Sequence, residues 1–352
     1  MDNTIYKNRR NNLKDLLPNN SVLLIPGADL QYRNADSAFP FRQDSSFYYL
    51  SGFCEPSSLI AIVNNKDGIK SIIFVPPKDK LKEIWDGHRS GPVGAVDDFL
   101  FDKAYDNLQI DKILPDILHG HEEVLYPIGK KKGFDQQVID WTTAAGSKDR
   151  HSKSINIIDA TSLIGNMRLI KDEHEINLIR KACDISAEAH IEAMKSVKDG
   201  DNEQQIESMY IHEFSKRGAR FPAYNPIIAG GENACVLHYV ENNQNLKSSD
   251  LLLVDAGCEY QMYAADITRT FPVSGKFSEE QLQIYKIVLD AMNAAIDSVK
   301  EGNNIMQPQE ISEKVITEGL VNIGLLKEIL KNYINQVHIK IFICIKLVIG
   351  LV

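Results

Sequence analysis

The stretch that most constrains this chain runs from Leu251 to Pro272. An apolar run, Leu251 to Val254, ends on an acid, Asp255. Gly257 permits a turn, and a second segment passes through Tyr263 to a second acid, Asp266. It continues as Ile267-Thr268-Arg269-Thr270-Phe271, which alternates and is rich in β-branched and aromatic residues. The pattern predicts two strands joined by a short turn, with Asp255 and Asp266 facing each other across the ladder. Acids at strand ends are commonly solvated or cap turns. Asp255, however, follows a run that reads as fully buried, and a buried acid needs a partner. Carboxylates suit Mn, Mg or Zn, and paired cations about 3.5–4 Å apart need bridging carboxylate oxygens. The two acids are therefore candidate metal ligands.

The 352 residues allow two domains, and 43% apolar content is ample for buried cores. A net charge of −9 argues against nucleic acid as a partner and is compatible with metal ions and cationic peptide amino termini. Five cysteines, Cys54, Cys183, Cys235, Cys258 and Cys344, show no paired spacing. They point to free thiols in a reducing, cytoplasmic setting. The residues from Met1 to Lys7 contain no apolar core of a secretory signal.

Along the chain, Tyr6 to Leu17 reads as an amphipathic helix closed by Pro18, and Ser21 to Pro26 as a buried strand. Aromatic-rich Ser46 to Ser51 reads as a strand, as do Leu59 to Val63 and Ser71 to Val75. Helical stretches then alternate with short strands up to Ile158, an α/β pattern. Trp85 falls in a loop-like segment, Trp85 to Pro92. A domain boundary is expected between Ser162 and Lys171, followed by a long helix to about Met194. Further helices are expected over Glu203 to Arg217, Ser278 to Lys300 (with Ser278 as N-cap) and Ile311 to Asn322. His190 and His212 read as helix-borne histidines without ligand roles. His238 ends the strand-like segment Ala234 to Leu237.

Val-Asp-Ala-Gly, ten residues between the two acids, then Asp-Ile-Thr-Arg-Thr-Phe-Pro resembles the metal hairpin of the aminopeptidase P (Xaa-Pro aminopeptidase) family. Gly230 to Asn242 resembles that family's segment bearing a substrate-contacting histidine, and Pro40 to Leu50 its N-terminal domain signature. The similarity runs from about Tyr32 to Gly324. It implies an α/β N-terminal domain of the creatinase/aminopeptidase P type over residues 1–165 and an α+β pita-bread domain, incomplete, over residues 170–336. It further implies a cytoplasmic metalloaminopeptidase with two divalent ions, Mn by expectation, held in part by Asp255 and Asp266. His238 would contact substrate, peptides with proline in second position. Trp85 would reach a neighbouring subunit's site in a homo-oligomer. Neither nucleic acid nor membrane is an expected partner.

The same resemblance calls for a histidine and two glutamates downstream, the histidine within a Phe-Tyr-Met-His-x-x-x-His-Trp-Leu-Gly segment. The tail from Val337 to Val352 contains no such segment. One coding of Ile345 to Val352, read one base earlier, spells His-Lys-Thr-Ser-His-Trp-Ile-Gly. Residues 337–352 are therefore expected to be an out-of-frame tail, leaving the chain without three metal ligands. His338 lacks the glycine and tryptophan that surround the family's ligand histidine. The alternatives are a prolidase-type Xaa-Pro dipeptidase and a metal-free binding protein on the same fold.

Overall fold

A computed structural model describes residues 3–149 and 154–326; the expected tail over 337–352, with His338 and Cys344, lies outside the described residues. The chain divides into two units, Met1–Ile170 and Lys171–Val352.

The first unit is built on one six-stranded sheet. Its strands are β1 (Ser21–Pro26), β4 (Leu59–Asn65), β5 (Gly68–Val75), β6 (Lys103–Asp106), β7 (Glu123–Tyr126) and β8 (Asn156–Asp159), in the order β6-β5-β4-β1-β7-β8. A small ribbon, β2 (Tyr32–Asn34) with β3 (Ser37–Ala38), stands apart. Antiparallel β4 is flanked by β1 and β5, whereas β1/β7, β7/β8 and β5/β6 run parallel. Both sheet faces are buried, which is why β1 and β4 read as continuous apolar runs. Leu23, Ile25, Ile60, Ile62 and Ile73 pack on one face with Leu13, Phe47, Phe101 and Ile164. Those partners come from the N-terminal helical segment, from α2 (Ser45–Ser51) and α7 (Thr161–Leu169), and, for Phe101, from the loop after α4 (Gly91–Asp97), which itself adds Ala95. Val22, Leu24, Ala61, Phe74 and Val124 pack on the other face against α5 (Ile110–Leu118) and α6 (Lys132–Gly146). Each such fully buried Val, Leu, Ile or Phe side chain contributes about 1.5–3 kcal/mol relative to exposure.

Three local expectations are corrected in this unit. The single helix expected over Tyr6 to Leu17 is α1 (Thr4–Asn12) followed by a 3₁₀ turn, Leu13–Asp15. Ser46 to Ser51 belongs to helix α2 and is not a strand. The Asp44 carboxylate accepts from the Ser46 and Phe47 backbone N–H groups, and Gly52 closes the helix at φ 65°. Good caps at both ends outweigh the β preference of three aromatics. Trp85 lies in the last turn of α3 (Lys80–Asp86), which Asp79 caps in the same way.

The second unit opens with α8 (Glu173–Ser196) and α9 (Glu203–Lys216), each started by a capping box, Asp172 with Glu175 and Asn202 with Gln205. Two small sheets follow. One, in the order β10-β11-β14, is formed by β10 (Ile227–Gly230), β11 (Leu251–Asp255) and β14 (Thr268–Pro272). The other, in the order β13-β12-β9, is formed by β9 (Phe221–Pro222), β12 (Cys258–Tyr260) and β13 (Tyr263–Ala264). Helices α10 (Glu279–Asp297), with Ser278 as N-cap, and α11 (Gln307–Asn322) complete the described part.

Candidate metal centre

The expected hairpin forms, but it is split between the two sheets. Strand β11 pairs with β14, whereas β12 pairs with β13. Asp255 therefore stands opposite Thr268, not opposite Asp266. The two chain segments cross at Gly257, where a Cβ would fall inside the van der Waals radius of the Ala265 carbonyl oxygen. Only glycine permits that approach. The crossing is tied by Ala256 N–H to the Ile267 carbonyl and Ala265 N–H to the Cys258 carbonyl. Asp266, two residues ahead of β14, is thereby brought back towards the end of β11.

Helix α8 supports the crossing from behind. The Ser186 hydroxyl accepts from Cys258 N–H at 3.0 Å. One turn on, His190 Nε2 bonds the Ala256 carbonyl at 3.1 Å, and the Tyr210 hydroxyl meets His190 Nδ1 at 2.9 Å. A carbonyl can only accept, so Nε2 carries the proton and Nδ1 accepts from the phenol. Burial holds the His190 pKa below its ordinary value, which keeps the ring neutral. The helix-borne histidine thus has a structural task directly behind the acid-bearing turn.

Strand β11 is not buried on both faces, as its apolar run suggested. Leu252 and Val254 face the core with α8 and α9, while Leu251, Leu253 and Asp255 are half-buried on the opposite face. Leu253 packs there against Ile227, Ala229 and Tyr239. The face that carries Asp255 is therefore the one covered by the segment around Tyr239.

The Tyr224 hydroxyl joins the two acids. It lies 2.5 Å from Asp255 Oδ1 and 3.2 Å from Asp266 Oδ1. The single phenolic proton is directed mainly at Asp255, and the longer contact is the weaker branch. Burial, then the hydrogen bond to Asp255 and its charge, raise the Tyr224 pKa far above the ordinary phenol range, so the group stays a donor. Burial and the neighbouring Asp255 charge also raise the Asp266 carboxyl, and the bond from Tyr224 partly offsets this. Two carboxylates converging on one phenol form a local anionic focus, relieved by a proton or a cation.

Tyr224 was not foreseen. It is 31 residues from Asp255 in sequence, and no spacing rule links them. His238 is exposed and follows a 3₁₀ turn, Gly231–Cys235, in place of the strand expected over Ala234 to Leu237. It immediately precedes Tyr239, which packs on the Asp255 face. Trp85 belongs to the first unit, where its side chain is 88% exposed. His212 is exposed, beside Glu213.

Two hard carboxylate donors meeting at one point fit part of a divalent-cation site. They do not complete one: among the described residues no group of three or more His, Cys, Asp or Glu is placed to hold a metal ion. Among the same residues no helix is long and apolar enough to cross a membrane.

Comparison with known proteins agrees with this geometry. The aminopeptidase P N-terminal domain profile matches residues 6–126, and that of metallopeptidase family M24 matches residues 177–338. The Xaa-Pro aminopeptidase of Haemophilus influenzae is 40% identical over 331 residues, 94% of this chain and 75% of the relative. That of Escherichia coli is 36% identical over 325 residues, 92% of this chain and 74% of the relative. The solved structure of Pseudomonas aeruginosa aminopeptidase PepP superposes with a TM-score of 0.92 at 39% identity, covering 95% of this chain and 76% of that one. Zinc-substituted Escherichia coli aminopeptidase P in complex with product gives a TM-score of 0.91 at 35% identity, over 96% and 77% of the two chains.

Proposed function

Because the chain belongs to metallopeptidase family M24, with an aminopeptidase P N-terminal domain ahead of an α+β pita-bread domain, we propose that it is built to hydrolyse the bond between an N-terminal residue and a following proline. The convergence of Asp255 and Asp266 on Tyr224 is the observation that carries this reading. The two carboxylates are the described residues that would hold divalent cations, Mn in our proposal. Such cations supply Lewis acidity and bring the ionisation of water towards neutral pH. Tyr224 holds the Asp255 carboxylate in place and screens it from Asp266. His238 stands on the segment over the same face and would hydrogen-bond the substrate or the tetrahedral intermediate. Trp85 would contact substrate in a neighbouring subunit of a homo-oligomer. The setting is cytoplasmic, and peptides with proline in second position are the partners.

For the 352-residue chain itself we propose little or no catalysis. Two aspartates make a poor dinuclear site. The out-of-frame reading of residues 337–352 is supported by the family match, which stops at residue 338. A second reading is a metal-free binding protein on the same fold. Metal analysis together with assays on an X-Pro-Y tripeptide and an X-Pro dipeptide separates the readings. The expected result is weak metal retention and negligible cleavage of either peptide. Robust tripeptide cleavage abolished by His338→Ala would overturn the proposal and make His338 a ligand; cleavage confined to the dipeptide would make the chain a prolidase.

A further inference from the structure

Among the described residues of the second unit, the most completely buried carboxylate lies outside the acid pair. Glu203, in the first turn of α9, is 0% exposed. Among the described residues no lysine or arginine pairs with it; its charge is met by four donors. Oε1 accepts from Gly230 N–H at 2.9 Å and Asn233 Nδ2 at 3.1 Å. Oε2 accepts from the Tyr239 hydroxyl at 2.7 Å and Gln244 N–H at 2.9 Å. A carboxylate has acceptor sites for all four, and charge-assisted bonds of this kind are strong. The donors sit at both ends and in the middle of one segment, residues 230–244, which carries His238. The Glu203 backbone adds a bond from its own N–H to the Gln244 carbonyl. Asn242, also buried, pins the same segment by accepting from Ile228 N–H and donating to the Pro226 carbonyl. A segment with little regular structure is thus fastened to α9, while Val236, Leu237, His238 and Val240 remain exposed.

We propose that Glu203 is the positioning residue for His238, holding the segment so that the histidine is presented on the face of β11 that bears Asp255. This rests on the substrate role proposed above for His238. Tyr239 connects the two: its ring packs with Ile227, Ala229 and Leu253 on that face, and its hydroxyl is anchored by Glu203. The amide of Glu203→Gln cannot replace the carboxylate. Whichever way it is turned, its NH₂ faces a backbone N–H, either that of Gly230 or that of Gln244.

The test uses the 352-residue chain. The His238 ring proton resonance is assigned by its loss in His238→Gln and followed in Glu203→Gln and Tyr239→Phe. Tyr239→Phe removes one of the four bonds and keeps the test decisive if Glu203→Gln does not fold. The expected result is a shifted or split His238 line in Glu203→Gln and a smaller change of the same kind in Tyr239→Phe. Affinity for Ala-Pro-Ala should fall about tenfold in Glu203→Gln, the equivalent of one buried hydrogen bond left unmade. The double variant with His238→Gln should bind no more weakly than His238→Gln alone. An unmoved His238 line in both folded variants, or effects on affinity that multiply, would overturn the proposal. If His238→Gln leaves peptide affinity unchanged, the substrate role of His238 is what fails, and the His238 line still decides whether Glu203 positions it.

Discussion

Replacing Tyr224 by phenylalanine tests the centre without touching either acid. The phenol gives Asp255 a 2.5 Å bond and Asp266 a 3.2 Å contact. A hydrogen bond to a charged group is worth about 1.5–3 kcal/mol net. Tyr224 and Asp255 are half-buried, and Asp266 is exposed as a residue although its carboxyl is partly desolvated, so solvent takes up part of the loss. We therefore expect a destabilisation of about 1–2 kcal/mol at neutral pH, a fall in Tm of about 2–8 °C for a unit of this size. The loss should depend on pH. The Asp266 carboxyl is raised in the folded chain by burial and by Asp255. A raised acid favours folding below the ordinary carboxylate range, and that contribution fades as pH rises through the folded value. Once Asp266 is protonated, the repulsion that Tyr224 screens is gone. The gap between parent and variant should therefore narrow in acid. Thermal melts from acid to neutral pH measure this. A variant as stable as the parent at neutral pH, or a gap that widens in acid, would refute the reasoning.

Three further outcomes follow from the same geometry. Gly257→Ala should destabilise the second unit by about 3 kcal/mol or more, because its Cβ meets backbone at the hairpin crossing; urea melts followed by far-UV circular dichroism check this. His190, with its lowered pKa, stabilises the fold above its unfolded value, a contribution lost as pH falls towards the folded one. His190→Gln should flatten that acid-side loss in stability–pH curves while lowering stability at neutral pH. Translating the gene in the alternative frame from Val337 should recover X-Pro-Y cleavage with Mn present, read by release of the N-terminal residue; the gene's nucleotide sequence past codon 330 checks the premise.

Much of this architecture can be read from the chain because local and long-range signals agree. Ser21–Pro26 is an apolar run bounded by prolines and folds as a strand buried on both faces. The Asp172 and Ser278 caps sit where helices α8 and α10 begin. The misreadings occur where tertiary contacts decide. Tyr48 and Tyr49 carry a strand preference, yet Asp44 and Gly52 close a helix around them. The apolar residues after Gly231 resemble a strand, yet bonds to Glu203 and a positive φ at Gly231 bend the segment into a 3₁₀ turn. The acids in the hairpin were visible, but their meeting point was not. It depends on backbone crossing at Gly257 and on Tyr224, which reaches the pair from the loop between β9 and β10.

The most direct test of the central claim is manganese stoichiometry, measured by equilibrium titration with Mn electron paramagnetic resonance on the chain translated in the alternative frame and on its Asp255→Asn variant. The account requires two bound ions per chain in the first and a loss of at least one in the second, since a neutral amide is a weak ligand for hard cations. Two ions held equally well by the Asp255→Asn variant would contradict it.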